Sequence, residues 1–236
     1  MKSRDQLLTL IAIALTFGSG ATDVGAFVRL GGVFTSVMTG NIVFFGLATA
    51  VRSVSLATHT TVAIGGYIAG VAVATWVLHG VRVRGERSSS ASADRARVLP
   101  GYVSWALFAE FVLLAGAAIG WEVTGARPHG WVQFVLLAVT AAAMGMQSAT
   151  VNEMGFSNFS TTFLTGTLTW LVSQLARPGG DPSGAMRRLS ALIALAAGAA
   201  LSGLLVANAA RVVPVLALVA TLTAVVLCRA PVRSDD

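Results

Sequence analysis

Apolar residues along this chain gather in eight long runs, near residues 7 to 27, 33 to 50, 60 to 79, 101 to 121, 131 to 150, 160 to 176, 190 to 210 and 212 to 228. Most polar residues fall in the intervals and in short interruptions inside two of the runs, with a few isolated ones elsewhere. The runs are continuous rather than alternating, and several approach the roughly 20 residues that carry a helix across a hydrocarbon core of about 30 Å. Barrel strands would alternate with period two. The pattern therefore predicts an all-α, polytopic transmembrane helical bundle, because only helices satisfy their own backbone in lipid without closing into a barrel.

The interruptions are alike. Thr35-Ser36-Val37-Met38-Thr39-Gly40-Asn41 in the second run returns 126 residues later as Thr161-Thr162-Phe163-Leu164-Thr165-Gly166-Thr167 in the sixth. Run 1 then pairs with run 5, run 2 with run 6, run 3 with run 7 and run 4 with run 8, so the chain reads as a doubled unit with one polar break in each half.

Arginine placement selects the number of crossings. If all eight runs cross, the 16 basic residues divide 9 to 7 between the two sides, which is almost no bias. If the two broken runs enter and leave on one side, only six cross. The split then becomes 12 to 4, with Arg29, Arg52, Arg127 and Arg211 outside. Short cytoplasmic loops are enriched in Lys and Arg, so six spans with both termini cytoplasmic fit better. Limbs of about ten residues on either side of Thr39-Gly40-Asn41 rise only about 15 Å each, about half the core, which suits a re-entrant turn. Ordinary short tilted helices with threonines bonded to carbonyls one turn back are the alternative. Three spans per half is an odd number, so the second half would insert upside down, giving two inverted three-span repeats, an architecture of secondary transporters.

Organisation follows: residues 1–80 form the core of the first repeat, 81–99 an Arg/Ser-rich cytoplasmic linker, and 100–236 the remaining spans with the second repeat, run 4 belonging to the first half. Lys2 and Arg4 before the first run suggest a signal peptide, but the run is longer than a usual cleavable segment and reads as an uncleaved first span. With 55% hydrophobic and 11% charged residues, the chain has more apolar surface than one soluble core buries. The net charge of +6 sits in short loops, so it reads as membrane topology rather than nucleic-acid binding, for which no basic stripe interleaved with aromatics is present. The lone Cys228 excludes an intramolecular disulfide.

The segments Gly20-Ala21-Thr22-Asp23, Gly32 to Asn41, Gly145-Met146-Gln147-Ser148-Ala149 and Thr161 to Thr167 together resemble the YoaK-type bacterial membrane proteins, a family catalogued as a domain of unknown function. The resemblance covers almost the whole chain. It implies a polytopic protein of the bacterial inner membrane with six spans. Ser148 departs from it, since family members often carry asparagine there. No substrate or reaction comes with the family.

Ionisable groups at membrane depth are functional suspects by default. Asp23, in the C-terminal part of run 1, and Glu110, at the centre of run 4, are the two carboxyls so placed; desolvation disfavours the charge, so each is expected to be partnered or neutralised. Asp23 has the alternative role of capping the first break, and Glu110 that of a structural hydrogen bond between helices. The breaks add Thr35, Ser36, Thr39, Asn41, Thr161, Thr162, Thr165 and Thr167, with Gly40 and Gly166 allowing tight turns. Freed backbone N–H groups would suit an anion, freed carbonyls and hydroxyls a cation. Gln147, Asn152 and Glu153 precede the second break, Glu153 more readily as part of a polar loop.

The remaining features point to packing. Gly65-Gly66-Tyr67-Ile68-Ala69-Gly70 and Ala196 to Ala200 with Ser202-Gly203 are small-residue faces for contact between halves or between protomers of a homo-oligomer. Trp76, Trp105, Trp121 and Trp131 near run ends suggest interfacial belts. His59, His79 and His129 are too scattered for a metal site, no cofactor motif is present, and no nucleophile elbow, His-Glu-x-x-His or P-loop appears. The expected function is a non-enzymatic one: a secondary transporter of a small solute or ion with its site at the paired breaks. A non-transporting membrane scaffold is the alternative.

Overall fold

The computed structural model describes residues 4–87, 101–154, 164–177 and 182–230. These form eight α-helices: α1 (Arg4–Arg29), α2 (Met38–Ala50), α3 (Val54–Arg87), α4 (Gly101–Val123), α5 (Gly130–Glu153), α6 (Leu164–Leu175), α7 (Pro182–Asn208) and α8 (Val213–Cys228). No strand occurs among the described residues. Six helices are long and apolar enough to cross a membrane, with spanning segments of 19 to 28 residues. The other two are short. At 1.5 Å per residue, the 13 residues of α2 extend only about 20 Å, less than the core they would have to cross.

Which ends of the helices meet establishes their directions. Leu7, Ile11 and Leu15 of α1, Val103 and Leu107 of α4, Val151 of α5 and Val225 and Cys228 of α8 form one apolar cluster. It gathers the beginnings of α1 and α4 and the ends of α5 and α8, and is called here the terminal end. A second cluster at the far end joins Ala26, Ala63, Trp121, Leu136, Leu137, Val206 and Val213. It gathers the ends of α1, α4 and α7 and the beginnings of α3, α5 and α8. Helices α1, α4 and α7 thus run one way and α3, α5 and α8 the other. Helix α1 ends and α3 begins at the far end, so α2 does not change sides; α5 ends and α7 begins at the terminal end, so α6 does not either.

Close crossings hold the two halves of the chain together. The most extensive contacts pair α3 with α5 and α1 with α7, each joining an N-terminal helix to a C-terminal one. Both depend on glycine. A Cβ on Gly70 would run into the carbonyl of Ala142, one on Gly66 would lie 2.6 Å from the Ala138 oxygen, and one on Gly145 would meet the carbonyl of Tyr67. In the other pair, Gly20 abuts the Leu195 carbonyl and Gly198 the Phe17 carbonyl. Without a hydrophobic drive between helices in lipid, such close backbone approach is what packing supplies. Of the small-residue faces in runs 3 and 7, Gly66, Gly70 and Gly198 therefore join halves of one chain, whereas Gly65 faces open space.

Two expectations need correction. Helix α3 continues to Arg87, into the segment expected to be linker, since one glycine, at about 1 kcal/mol, does not stop a 34-residue helix. Trp121 is no belt residue: it is buried, and its Nε1 donates to the Ala210 carbonyl at 2.9 Å. Trp76, Trp105 and Trp131 are exposed, as belts require. His59 is buried against Gly31, its ring tilted over that of Phe134 with centroids 4.6 Å apart and its Nδ1 2.7 Å from the Ser55 carbonyl.

Candidate functional site

The first break lies between α1 and α2. Gly31 and Gly32 take φ of +102° and +74°, the left-handed region that a side chain resists, and turn the chain back into the bundle. Residues 33–37 run without helix to the start of α2. They end against Asp23, six residues before the end of α1, which places the break about 9 Å inside that end. Asp23 Oδ1 accepts from the Thr35 N–H (2.7 Å), the Thr35 hydroxyl (3.0 Å) and the Ser36 N–H (2.8 Å), and its Oδ2 from the Ser36 hydroxyl (2.6 Å). Asp23, Thr35 and Ser36 are all buried. Asn41 closes the loop from the other side: its Nδ2 donates to the Phe34 carbonyl at 2.6 Å and its Oδ1 accepts the Phe34 N–H at 2.9 Å. The Phe34 ring stacks on Phe27 (5.3 Å) and on Phe44 (5.8 Å), which are 6.4 Å from each other, so the three rings form a triangle. Non-helical backbone at this depth is tolerated because every one of these donors is met by protein.

This geometry moves the break and reassigns its parts. Thr39-Gly40-Asn41 was expected at the turn; it lies in the first turn of α2, and the turn belongs to Gly31-Gly32. Thr39 is exposed and Gly40 half-buried against the Phe34 ring. The backbone N–H groups of the break, expected to be free for an anion, are taken by the Asp23 carboxylate itself, so Asp23 acts as the cap. In the second half, α6 begins at Leu164, 126 residues after the Met38 that begins α2, which is the offset of the sequence repeat. Thr165, Gly166 and Thr167 fall in its first turn, Gly166 exposed and Thr167 buried. Thr161 and Thr162 lie outside the described residues.

A second polar group sits at the centre of the bundle. Glu110 is fully buried on the α4 stripe formed by Val103, Leu107, Leu114 and Trp121. Its Oε1 accepts a 3.2 Å hydrogen bond from the Thr221 hydroxyl of α8, and its Oε2 has no partner among the described residues. On the facing pair of helices, Gln147 Nε2 donates to the Ser19 hydroxyl at 2.8 Å and to the Leu15 carbonyl at 3.4 Å. One turn beyond Glu110 towards the far end, Leu114 and Ala217 help line a cavity of about 50 Å³ among α1, α4, α5 and α8, whose polar side chains are Thr22 and Thr140.

The family described as "Protein of unknown function (DUF1275)" matches residues 11–228. The chain belongs to this family. It is also 29% identical, over 174 residues, to the UPF0700 transmembrane protein YoaK of Bacillus subtilis, a match covering 73% of this chain and 68% of that protein. No solved structure matches it. The DUF1275 match takes in the first crossing from residue 11, the other five described crossings in full and both short helices, in agreement with a multi-pass membrane protein of YoaK type.

Within this DUF1275 member the candidates divide into two groups. Asp23, Thr35 and Asn41 come together at the first break, with Ser36. Glu110 and Gln147 do not join them; they sit in the bundle centre. Asn152 and Glu153 are exposed at the last turn of α5. No cluster of three metal-ligating side chains occurs among the described residues. Sequence reasoning missed Ser19 and Thr221. A signal for Thr221 was present: it stands nine residues into the run beginning at 212, as Glu110 does in the run beginning at 101.

Proposed function

We propose that this protein is a secondary transporter of a small solute in the bacterial cytoplasmic membrane, built as two inverted three-span repeats with both termini cytoplasmic. The observation that carries the reading is the non-helical segment 33–37 held inside a bundle of spanning helices, since discontinuous segments of this kind form the sites of such transporters. The packing pattern supports it: exchanging α1–α4 for α5–α8 turns the α1–α7 pair into the α5–α3 pair, and helices so exchanged run in opposite directions. Thr39 and Thr167, in the first turns of the two short helices, are the candidate solute contacts. Glu110 is the coupling group, because both oxygens of Asp23 are already engaged by the break. The positive-inside rule supports a cytoplasmic terminal end, since Arg4 begins α1 and Arg229 follows α8 there and the sequence puts more basic residues on that side than on the other, where Arg29, Arg52, Arg127 and Arg211 stand.

Three experiments test this. Purified protein in liposomes should show solute-dependent ion or proton flux across a broad panel of small solutes, and a flat response throughout would overturn transport. In a Cys228→Ala background, Thr39→Cys and Thr167→Cys should react with membrane-impermeant thiol reagents, each from at least one side. A non-transporting scaffold is the second reading, favoured by the small, largely apolar lining of the central cavity; it predicts no flux and no labelling at either position. A reporter fused within Ser88 to Ser92 should give a cytoplasmic signal, and a periplasmic signal there would remove the assigned orientation.

A further inference from the structure

Four helices meet at the bundle centre, and each brings one polar side chain to the same level. The apolar clusters on either side define that level. Towards the terminal end lie Leu15, Leu107, Val151 and Ala224; towards the far end lie Leu114, Met144 and Ala217. Glu110 stands between Leu107 and Leu114 on α4, Gln147 between Met144 and Val151 on α5, and Thr221 between Ala217 and Ala224 on α8. Ser19, one turn from Leu15 on α1, is tied to the level by its bond to Gln147. All four are buried.

The layer carries one carboxyl and no basic partner. Thr221 of α8 bonds it directly, and the apolar cluster one turn beyond holds Leu114 of its own helix, Ala217 of α8, Met144 of α5 and the partly buried Tyr67 of α3. The other titratable groups on the surrounding helices lie at other levels: Asp23 is a turn beyond Ser19 and committed to the break, and Cys228 is two turns from Thr221. No described Lys, Arg or His is set at mid-span beside Glu110. On α5, Thr140 and Thr150 return their hydroxyls to carbonyls four residues back, Leu136 and Met146. Thr221 instead reaches across to a carboxylate, whose second oxygen is left without a described partner. An isolated charge in such a place costs several kcal/mol, so the carboxylate requires one positive charge from outside the chain. A divalent ion would leave the layer with a net charge of its own.

We propose that Glu110, Thr221, Gln147 and Ser19 form a site for a single monovalent cation, a proton or a sodium ion, with Glu110 neutralising it and the Thr221 hydroxyl orienting the carboxylate. Thr221, which stands as far into run 8 as Glu110 does into run 4, brings a hydroxyl and not a second carboxyl, so the layer has charge for one cation per chain. The inference specifies the coupling ion of the proposed transporter, yet the site binds its cation whether or not a solute moves.

The test measures binding without transport. Purified protein in nanodiscs is unfolded thermally while sodium chloride replaces choline chloride at constant ionic strength, and separately while pH is varied between about 5 and 9 in choline alone. Wild type should gain several degrees in one of the two series: sodium dependence identifies a sodium ion, and acid stabilisation without sodium dependence identifies a proton. Glu110→Gln, isosteric and neutral, should lose that response. Thr221→Val should keep it with the midpoint displaced at least threefold in cation concentration. If Glu110→Gln does not fold, Thr221→Val and Glu110→Asp carry the test, and a midpoint unmoved in both overturns the site. A wild-type response equal to that of Glu110→Gln in both series also overturns it. A cation response lost in Glu110→Gln, with no solute flux in liposomes, would uphold the site and overturn the transporter.

Discussion

Replacing Asp23 by alanine tests the assignment of this carboxylate as the cap that holds the break inside the bundle. The substitution removes the acceptor for four donors. The hydroxyls of Thr35 and Ser36 rotate towards other acceptors, but the N–H groups of Thr35 and Ser36, which bond Asp23 at 2.7 and 2.8 Å, are fixed by the backbone. A buried donor left unpaired costs about 1–3 kcal/mol, so the pair costs about 2–6 kcal/mol. That cost falls on the local structure of the loop, which stays attached through the Asn41 clamp and the Phe34 stack. Hydrogen–deuterium exchange of protein in nanodiscs reads such local opening directly. At the lower figure of about 2 kcal/mol, the amides of Thr35 and Ser36 should lose about 30-fold in protection, at tenfold per 1.4 kcal/mol. Amides at the centre of α5 should be unchanged. Asp23→Asn keeps one oxygen for the two N–H groups and should lose much less. Protection of Thr35 and Ser36 within threefold of wild type in Asp23→Ala would refute the capping role.

The glycine crossings give a paired prediction. Gly70→Ala pushes a methyl into the Ala142 carbonyl and should lower stability in detergent by about 1–3 kcal/mol, the usual cost of overpacking, while Gly65→Ala, which meets nothing within 4 Å, should stay within about 0.5 kcal/mol; equal thermal midpoints would contradict the α3–α5 contact. Asn41→Ala removes both clamps on Phe34 and should raise exchange at Phe34 while leaving α3 protected. Cys228 is buried in the terminal-end cluster, so maleimide should label native protein at least about tenfold more slowly than denatured protein, because reactive cysteines require exposure.

The number of crossings was readable because it rests on composition. Run length, continuity and the placement of arginines are properties of the one-dimensional chain, and lipid imposes its thickness on them directly. The recurrence of the polar motif was a property of the chain as well, and the starts of α2 and α6 keep its offset of 126 residues. The turn of the first break was misplaced although Gly31-Gly32 was in view. A threonine-glycine pair in an apolar run reads as a break, but it was the Asp23 carboxylate, reaching across from α1, that decided where helix could begin. Sequence also singled out Glu110 and Gln147 as isolated polar residues, without showing whether they meet each other or the breaks.

What the sequence determined alone is the class of molecule, six helices long enough to cross and two too short, since each helix satisfies its backbone within itself and answers only to the solvent around it. Tertiary structure decided which polar groups are neighbours. Asp23 with Ser36, Gln147 with Ser19 and Glu110 with Thr221 are pairs 13, 128 and 111 residues apart, brought together only when the helices pack. In a membrane interior a polar group is defined by its partner, and no local pattern along the chain specifies a partner on another helix.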